Sequence, residues 1–245
     1  MSWSLVQATA TGAGNSSSSL ALQFTSNVAA GNLLVALFGW YGASMSATIS
    51  DDQGNTWTQL GGSFPGLSSE HCGMWATLGG GSVNSGKPTV SFAAGTSYKG
   101  ACVAEFKAGT GSFTYSADGA STNTGSGTAM STGNITVVGS GELVLGGFAQ
   151  ANGSRTITPG SGFLNAASNT NGSSNSAAYL DYLLNGVSGS SPYADAATLS
   201  ATAVWTAIGA SIKAAASGGG GGPWPWFSEG FYAGSGRGMN GGMFG

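Results

Sequence analysis

The chain has 245 residues, 45 of them glycine, with only 6% charged and a formal net charge of −3. Soluble domains average roughly 25% charged residues, so this surface must be wetted by Ser, Thr, Asn and backbone, and it lacks the charge that ordinarily holds copies apart. The basic residues Lys87, Lys99, Lys107, Arg155, Lys213 and Arg237 form no run, which excludes nucleic acid as a partner, and no apolar stretch approaches the ~20 residues of a membrane-spanning helix.

The opening MSWSLVQATATG has no basic n-region and no continuous apolar h-region. It reads as a strand rather than a signal peptide, which points to assembly in the cytoplasm or export by another route. Leu20, Leu22 and Phe24 alternate with polar or small residues and predict a strand with one apolar face. Leu33 to Phe38 is continuously apolar, the pattern of a central strand covered on both faces. Trp40 and Tyr41 follow at the strand end, just before a glycine. They are the aromatics most suited to face a ligand, by stacking on a sugar ring. Trp57 and Trp75 lie inside strand-like runs and are expected in the core.

SDDQGNTW (50–57) places Asp51, Asp52 and Asn55 around Gly54. Close oxygen ligands of this kind can begin a calcium site, but no Glu closes an EF-hand loop. The favoured reading is a hairpin turn with Gly54 at positive φ. His71 and Cys72 are adjacent, so on a strand they point to opposite faces and cannot act as a nucleophile pair. With one histidine and two cysteines the chain does not supply the ligand set of a zinc site. Cys72 and Cys102 are expected in the core, as free thiols or as a disulfide; spacing leaves both open. Val90 and Phe92 continue the strand series. Glu105 interrupts the apolar ACVAEFKAG (101–109) and is expected to face solvent or to pair with Lys107; Asp181 in YLDYLL reads the same way. A glycosidase needs two carboxylates ~5–10 Å apart, and nothing in the spacing brings these two together. The expectation is therefore no enzyme, no catalytic or metal-binding residues and no cofactor. Ser211–Ala216 is the one weak helix candidate, although Ile208, Ala210 and Ile212 alternate better as a strand.

Four segments recur in order. GNLLVALFGW (31–40) aligns with GELVLGGFAQ (141–150), and TISDDQGNTW (48–57) with TITPGSGFLN (156–165). GMWATLGGGSVNSG (73–86) resembles AYLDYLLNGVSGS (178–190), and ACVAEFKAG (101–109) resembles AIGASIKAA (207–215). In the second copy the turn survives as TPGSG without its carboxylates, and Ala177 and Ile208 stand where the first has Cys72 and Cys102. The predicted architecture is all-β: two homologous antiparallel β-sandwich units of jelly-roll or immunoglobulin-like type, residues 1–109 and 110–216. Whether the units stand in tandem or merge is not decided by the spacing.

Residues 217–245 form a third region. Gly218–Gly222 is a flexible linker, and Trp224, Trp226, Phe227, Phe231, Tyr232 and Phe244 follow with almost no charge. Each such ring can bury ~150–250 Å², so the tail, and Trp224, Trp226, Phe227, Phe231 and Tyr232 above all, is expected to bind a partner subunit.

The succession GNLLVALF, SDDQGNTW, a Trp-containing strand, KPTVSF and VAEF resembles a set of uncharacterised phage and bacterial surface proteins with duplicated β-sandwich repeats. The resemblance spans about residues 4–215 and implies a fold and a surface setting, with no functional residues to carry over. The function expected is a non-enzymatic structural protein of a phage virion (capsid decoration, head fibre or tail-associated component) that joins other protein subunits, including copies of itself. The alternative is a bacterial extracellular adhesin or carbohydrate-binding module that holds a cell-surface glycan.

Overall fold

The structure, a computed structural model, describes residues 2–13, 18–43, 46–83, 86–95, 98–152, 154–170, 176–184, 187–189 and 192–217. All of its regular elements are strands. The first half contributes β1 (Trp3–Ala13), β2 (Ser19–Gln23), β3 (Leu33–Tyr41), β4 (Thr48–Asp51), β5 (Thr58–Leu60), β6 (Gly66–Leu67), β7 (Glu70–Ala76), β8 (Thr89–Ala93) and β9 (Tyr98–Ala108). The second contributes β10 (Phe113–Ala129), β11 (Ile135–Thr136), β12 (Leu143–Ala151), β13 (Ile157–Thr158), β14 (Leu164–Asn169), β15 (Ser176–Leu183), β16 (Pro192–Tyr193) and β17 (Thr198–Ala216). The Ala-rich segment at 211–216 is the end of a strand, as its alternation indicates.

Every pairing is antiparallel. One large sheet runs β1-β9-β3-β7-β5, with β6 also on β7; the other runs β10-β17-β12-β15-β14, with β13 on the early part of β17. Two smaller sheets are β2-β8-β4 and β11-β16.

The large sheets pack face to face. Leu33, Val35 and Leu37 of β3 share one apolar core with Leu143 and Leu145 of β12, Leu180 of β15 and Ile208, Ala210 and Ile212 of β17. The alternate residues of β3, Leu34, Ala36, Phe38 and Trp40, point the other way and meet Leu20, Leu22, Val90 and Phe92 of the β2-β8-β4 sheet. In the second half Phe148 and Tyr179 face outward onto Met130 and Leu199, and Val144 onto Ile135 and Val137. The molecule is thus a stack of four layers with the large sheets in the middle. This explains why β3 is apolar at consecutive positions: a strand with a sheet on each side has no polar face.

The two middle sheets approach closely where side chains are missing. Gly12, Gly100 and Gly39 are register neighbours across β1, β9 and β3. A Cβ on Gly39 would lie 2.7 Å from the Ala149 Cβ, and one on Gly100 would lie 2.9 Å from the Ala178 backbone nitrogen. On the other side Gly147 accepts Leu37, whose Cδ1 would be 2.6 Å from an added Cβ. Bulk on one sheet therefore faces absence of bulk on the other.

Candidate functional site

The residues that carry chemistry are mostly interior. In the 51–57 turn, Asp51 Oδ1 accepts from the amides of Gln53 and Asn55 at 2.8 and 3.2 Å, and its Oδ2 accepts from Trp57 Nε1 at 2.6 Å. Asp52 Oδ1 accepts from the Thr89 amide at 2.8 Å, Asn55 Oδ1 accepts from the Val83 amide at 2.9 Å, and Gly54 has φ +77°. These oxygens shape the turn and tie it to β8, as turn chemistry predicts.

Trp40 is fully buried. It stacks on Phe38 at 5.3 Å and on His71 at 5.4 Å, with Phe64 edge-on at 5.3 Å. Expected as a ligand-facing ring, it is instead part of the packing between two layers, because its even position on β3 points inward. Tyr41, one residue on, is half-buried and sits edge-on to its cross-strand neighbour Tyr98 at 6.4 Å. His71 Nε2 lies 3.1 Å from the Gly42 carbonyl oxygen, and burial lowers its pKa, so the ring is held neutral. Cys72 and Cys102 are both buried free thiols. Burial pushes Cys72 up to about 12 and Cys102 higher still. In the strand register Cys72 lies beside Gly39, and Ala178 lies beside Ala149.

Glu105 is neither exposed nor paired with Lys107. It is fully buried, accepting from Gln7 Nε2 at 2.7 Å, the Ala29 amide at 2.8 Å and Asn32 Nδ2 at 2.7 Å. It fastens the 24–32 connection onto β9 and β1. A carboxylate inside an apolar strand signals either solvent or an internal latch, and only the distant loop decides which. Glu70 is likewise fully buried, between the two large sheets. Ser176 Oγ donates to its Oε1 at 2.7 Å, and desolvation holds its pKa well above the usual range.

Asp181 also departs from the expectation of a solvent-facing carboxylate. It is fully buried beside Asp195, which sequence reasoning missed. Asn165 Nδ2 donates to Asp181 Oδ1 at 2.7 Å, and the Gly160 amide donates to Asp195 Oδ1 at 2.8 Å. The remaining oxygens, Asp181 Oδ2 and Asp195 Oδ2, are both buried without a hydrogen-bond partner, and the two carboxyls perturb one another's titration. Desolvation, reinforced by the charge of Asp195, pushes Asp181 up to about 8; desolvation also raises Asp195. Two carboxyls that disfavour each other's charge in an apolar setting are not both readily ionised. In the sequence only an Asp within an Ala-Tyr-Leu run hinted at it; Asp195, in a loop, gave no sign.

Paired carboxyls also occur in hydrolytic sites, but both side chains here are closed to solvent. An open crevice of about 240 Å³ is lined by Ser18, Ser46, Ala47, Thr48, Ala93, Ala94 and Gly95. It holds no acid, base or thiol. Among the described residues no three of His, Cys, Asp and Glu gather as a metal site, and no helix is long and apolar enough to cross a membrane. The expected partner-binding aromatics Trp224, Trp226, Phe227, Phe231 and Tyr232 lie outside the described residues. No family model, no curated protein and no solved structure matches the chain.

Proposed function

We propose that this chain is a non-enzymatic structural protein, built from two homologous jelly-roll-type units, that serves as a virion component and joins its assembly through the aromatic C-terminal tail. The observation that carries the reading is where the polar chemistry lies. Glu70, Glu105, Asp181 and Asp195 are fully buried and tie strands and loops together. The surface is left to Ser, Thr and Gly, in a chain with 6% charged residues. A body of this kind offers rigidity and weak resistance to close neighbours, the properties of a shell or fibre subunit.

Duplication is supported by three correspondences. The large sheets have the same strand order, β1-β9-β3-β7 beside β10-β17-β12-β15, with β2-β8 and β11-β16 as the matching outer pairs. The first strand of each is bulged at the same place, between Leu5 and Gln7 opposite Phe106 and Glu105, and between Ala117 and Gly119 opposite Ile212 and Ser211. The contacts across the middle are reciprocal. Trp3 Nε1 donates to the Gly141 carbonyl at 3.0 Å, Tyr115 Oη donates to the Gly31 carbonyl at 2.9 Å, and the two rings meet at 5.7 Å. Such exchange is the mark of a two-fold interface. This strand order supports a jelly-roll reading, an architecture common to capsid and lectin domains.

The half-buried Tyr41–Tyr98 pair favours a second reading, glycan binding by an adhesin-like module. The experiment compares full-length protein with a chain ending at Ser217. The structural reading expects the truncated form to stay folded and monomeric by light scattering while the full chain associates or incorporates into particles. Equal association of both forms would overturn the role of the tail. Glycan-array binding lost in Tyr41→Ala would favour the second reading instead.

A further inference from the structure

We propose that Asp181 and Asp195 form a proton-operated latch: one shared proton clamps the 194–197 segment of the outer layer onto β15, and its loss releases that segment.

The site is built for two carboxyls. Three register neighbours cross the middle of each large sheet. In the first they are Val103, Ala36 and Trp75, and Trp75 packs on Phe92 at 6.3 Å and Phe64 at 5.7 Å. In the second they are Gly209, Gly146 and Asp181. Side-chain volume has been removed from two positions and a carboxyl placed at the third. The vacated space is filled: Asp195 Oδ2 lies 2.3 Å from where a Cβ on Gly146 would stand, and Ile135 Cδ1 lies 2.4 Å from one on Gly209. An aromatic cluster serves at the same register position in the first half, so the fold does not require acids there.

Each carboxyl has one oxygen committed to a fixed donor, Asn165 Nδ2 for Asp181 and the Gly160 amide for Asp195. The other oxygen of each, Oδ2, is buried with no hydrogen-bond partner. A proton on Asp181 Oδ2, donated to Asp195, satisfies both, and the Gly160 amide steadies the remaining charge on Asp195. The charged and titratable groups of the surrounding elements are engaged elsewhere. Lys213 of β17 bridges Asp118 at 3.5 Å, Glu142 before β12 accepts from the Gly139 amide, and Arg155 donates to the Ala201 carbonyl. On β15 the Tyr179 hydroxyl takes Gln150 and the Arg155 carbonyl, and on β16 the Tyr193 hydroxyl takes Ser188. None of these cations contributes to the Asp181 environment. When the Asp181 O–H bond breaks and the proton goes to solvent, two like charges are left in an apolar setting.

Asp195 is the point at which the outer segment is held. Its amide donates to Thr132 Oγ1 at 3.0 Å, its carbonyl accepts from the Thr132 amide at 3.1 Å, and Ala197 accepts from the Met130 amide at 2.9 Å. Releasing Asp195 loosens 130–132 together with 194–197 and uncovers Met130, Ala197 and Leu199.

The test is thermal unfolding and amide hydrogen exchange from pH 6.5 to 8.5 on the intact protein and on Asp181→Asn. The asparagine keeps Oδ1 for Asn165 and offers Nδ2 permanently to Asp195. The melting temperature of the natural protein should fall across this range; that of Asp181→Asn should fall less steeply, by the share left to Glu70, and be the higher at pH 8.5. After correction for intrinsic exchange, the Met130, Thr132 and Asp195 amides should open at least tenfold more readily at pH 8.5 in the natural protein only. Asp195→Asn, which reverses the donor and acceptor, serves if the first variant does not fold. Parallel pH profiles for variant and natural protein would overturn the latch. So would a rise in melting temperature with added calcium or magnesium that Asp181→Asn abolishes, because the pair would then hold a cation.

Discussion

Glu105 shows what one buried carboxylate does here. Its oxygens receive Gln7, the Ala29 amide and Asn32, so Glu105→Ala strands the buried Asn32 amide group and takes an acceptor from the part-buried Ala29 and Gln7 donors. A stranded donor costs about 1–3 kcal/mol; chemical denaturation should show a loss of at least that size, with Glu105→Gln intermediate. Asp52→Ala, by contrast, removes an exposed cap on the Thr89 amide, and its effect should stay within about 1 kcal/mol. The two thiols allow a direct check of burial. Neither Cys72 nor Cys102 should react with a thiol reagent at pH 8 until the protein is unfolded, because burial keeps both protonated. In sequence Glu105 and Asp52 look alike, each a carboxylate beside strand residues. They part only through which loop arrives, and a loop at residues 24–32 leaves no trace in the local pattern of residues 101–109.

At the scale of the strand, much was legible. The unbroken apolar run of β3 announced two covered faces, and the alternation of Ile208, Ala210 and Ile212 chose strand over helix against the helix propensity of alanine. The partner of each face was not legible. Apolar periodicity records that a face is buried and says nothing of which sheet covers it, so tandem and merged arrangements look the same in sequence. Glycines carried the missing information. Gly39, Gly100 and Gly147 read as weak points in strands, yet at each an added Cβ would press on the opposite middle sheet. Gly147→Leu would set a second leucine against Leu37 and should cost about 1–3 kcal/mol or prevent folding. The same substitution at Gly54, where an added Cβ meets nothing, should show only the strain of its positive φ.

At the scale of the molecule, the middle of three apolar interfaces is built by both halves of the chain. The pH dependence belongs at this scale too. His71 has a lowered pKa, so the stability it contributes is present above ~6.5 and is lost as pH falls. Asp181 and Glu70 have raised values, so theirs is present below ~4 and is lost as pH rises, for Asp181 through about 8. Between pH 6.5 and 8.5 the histidine adds only a small opposing change in the lower part of the range, and melting temperature should decline, although many proteins hold their maximum there.

The merged architecture is tested most directly by scanning calorimetry of the natural protein and of two core variants. Leu145 lies in the core shared by both large sheets, and Phe92 lies only in the outer core of the first half. Both Leu145→Ala and Phe92→Ala remove about 2–5 kcal/mol of packing. If the halves share one core, each scan shows a single transition whose calorimetric and van't Hoff enthalpies agree, and either variant lowers the whole of it. Two resolved transitions, with Phe92→Ala moving one and leaving the other in place, would contradict the merged core and restore two independent domains.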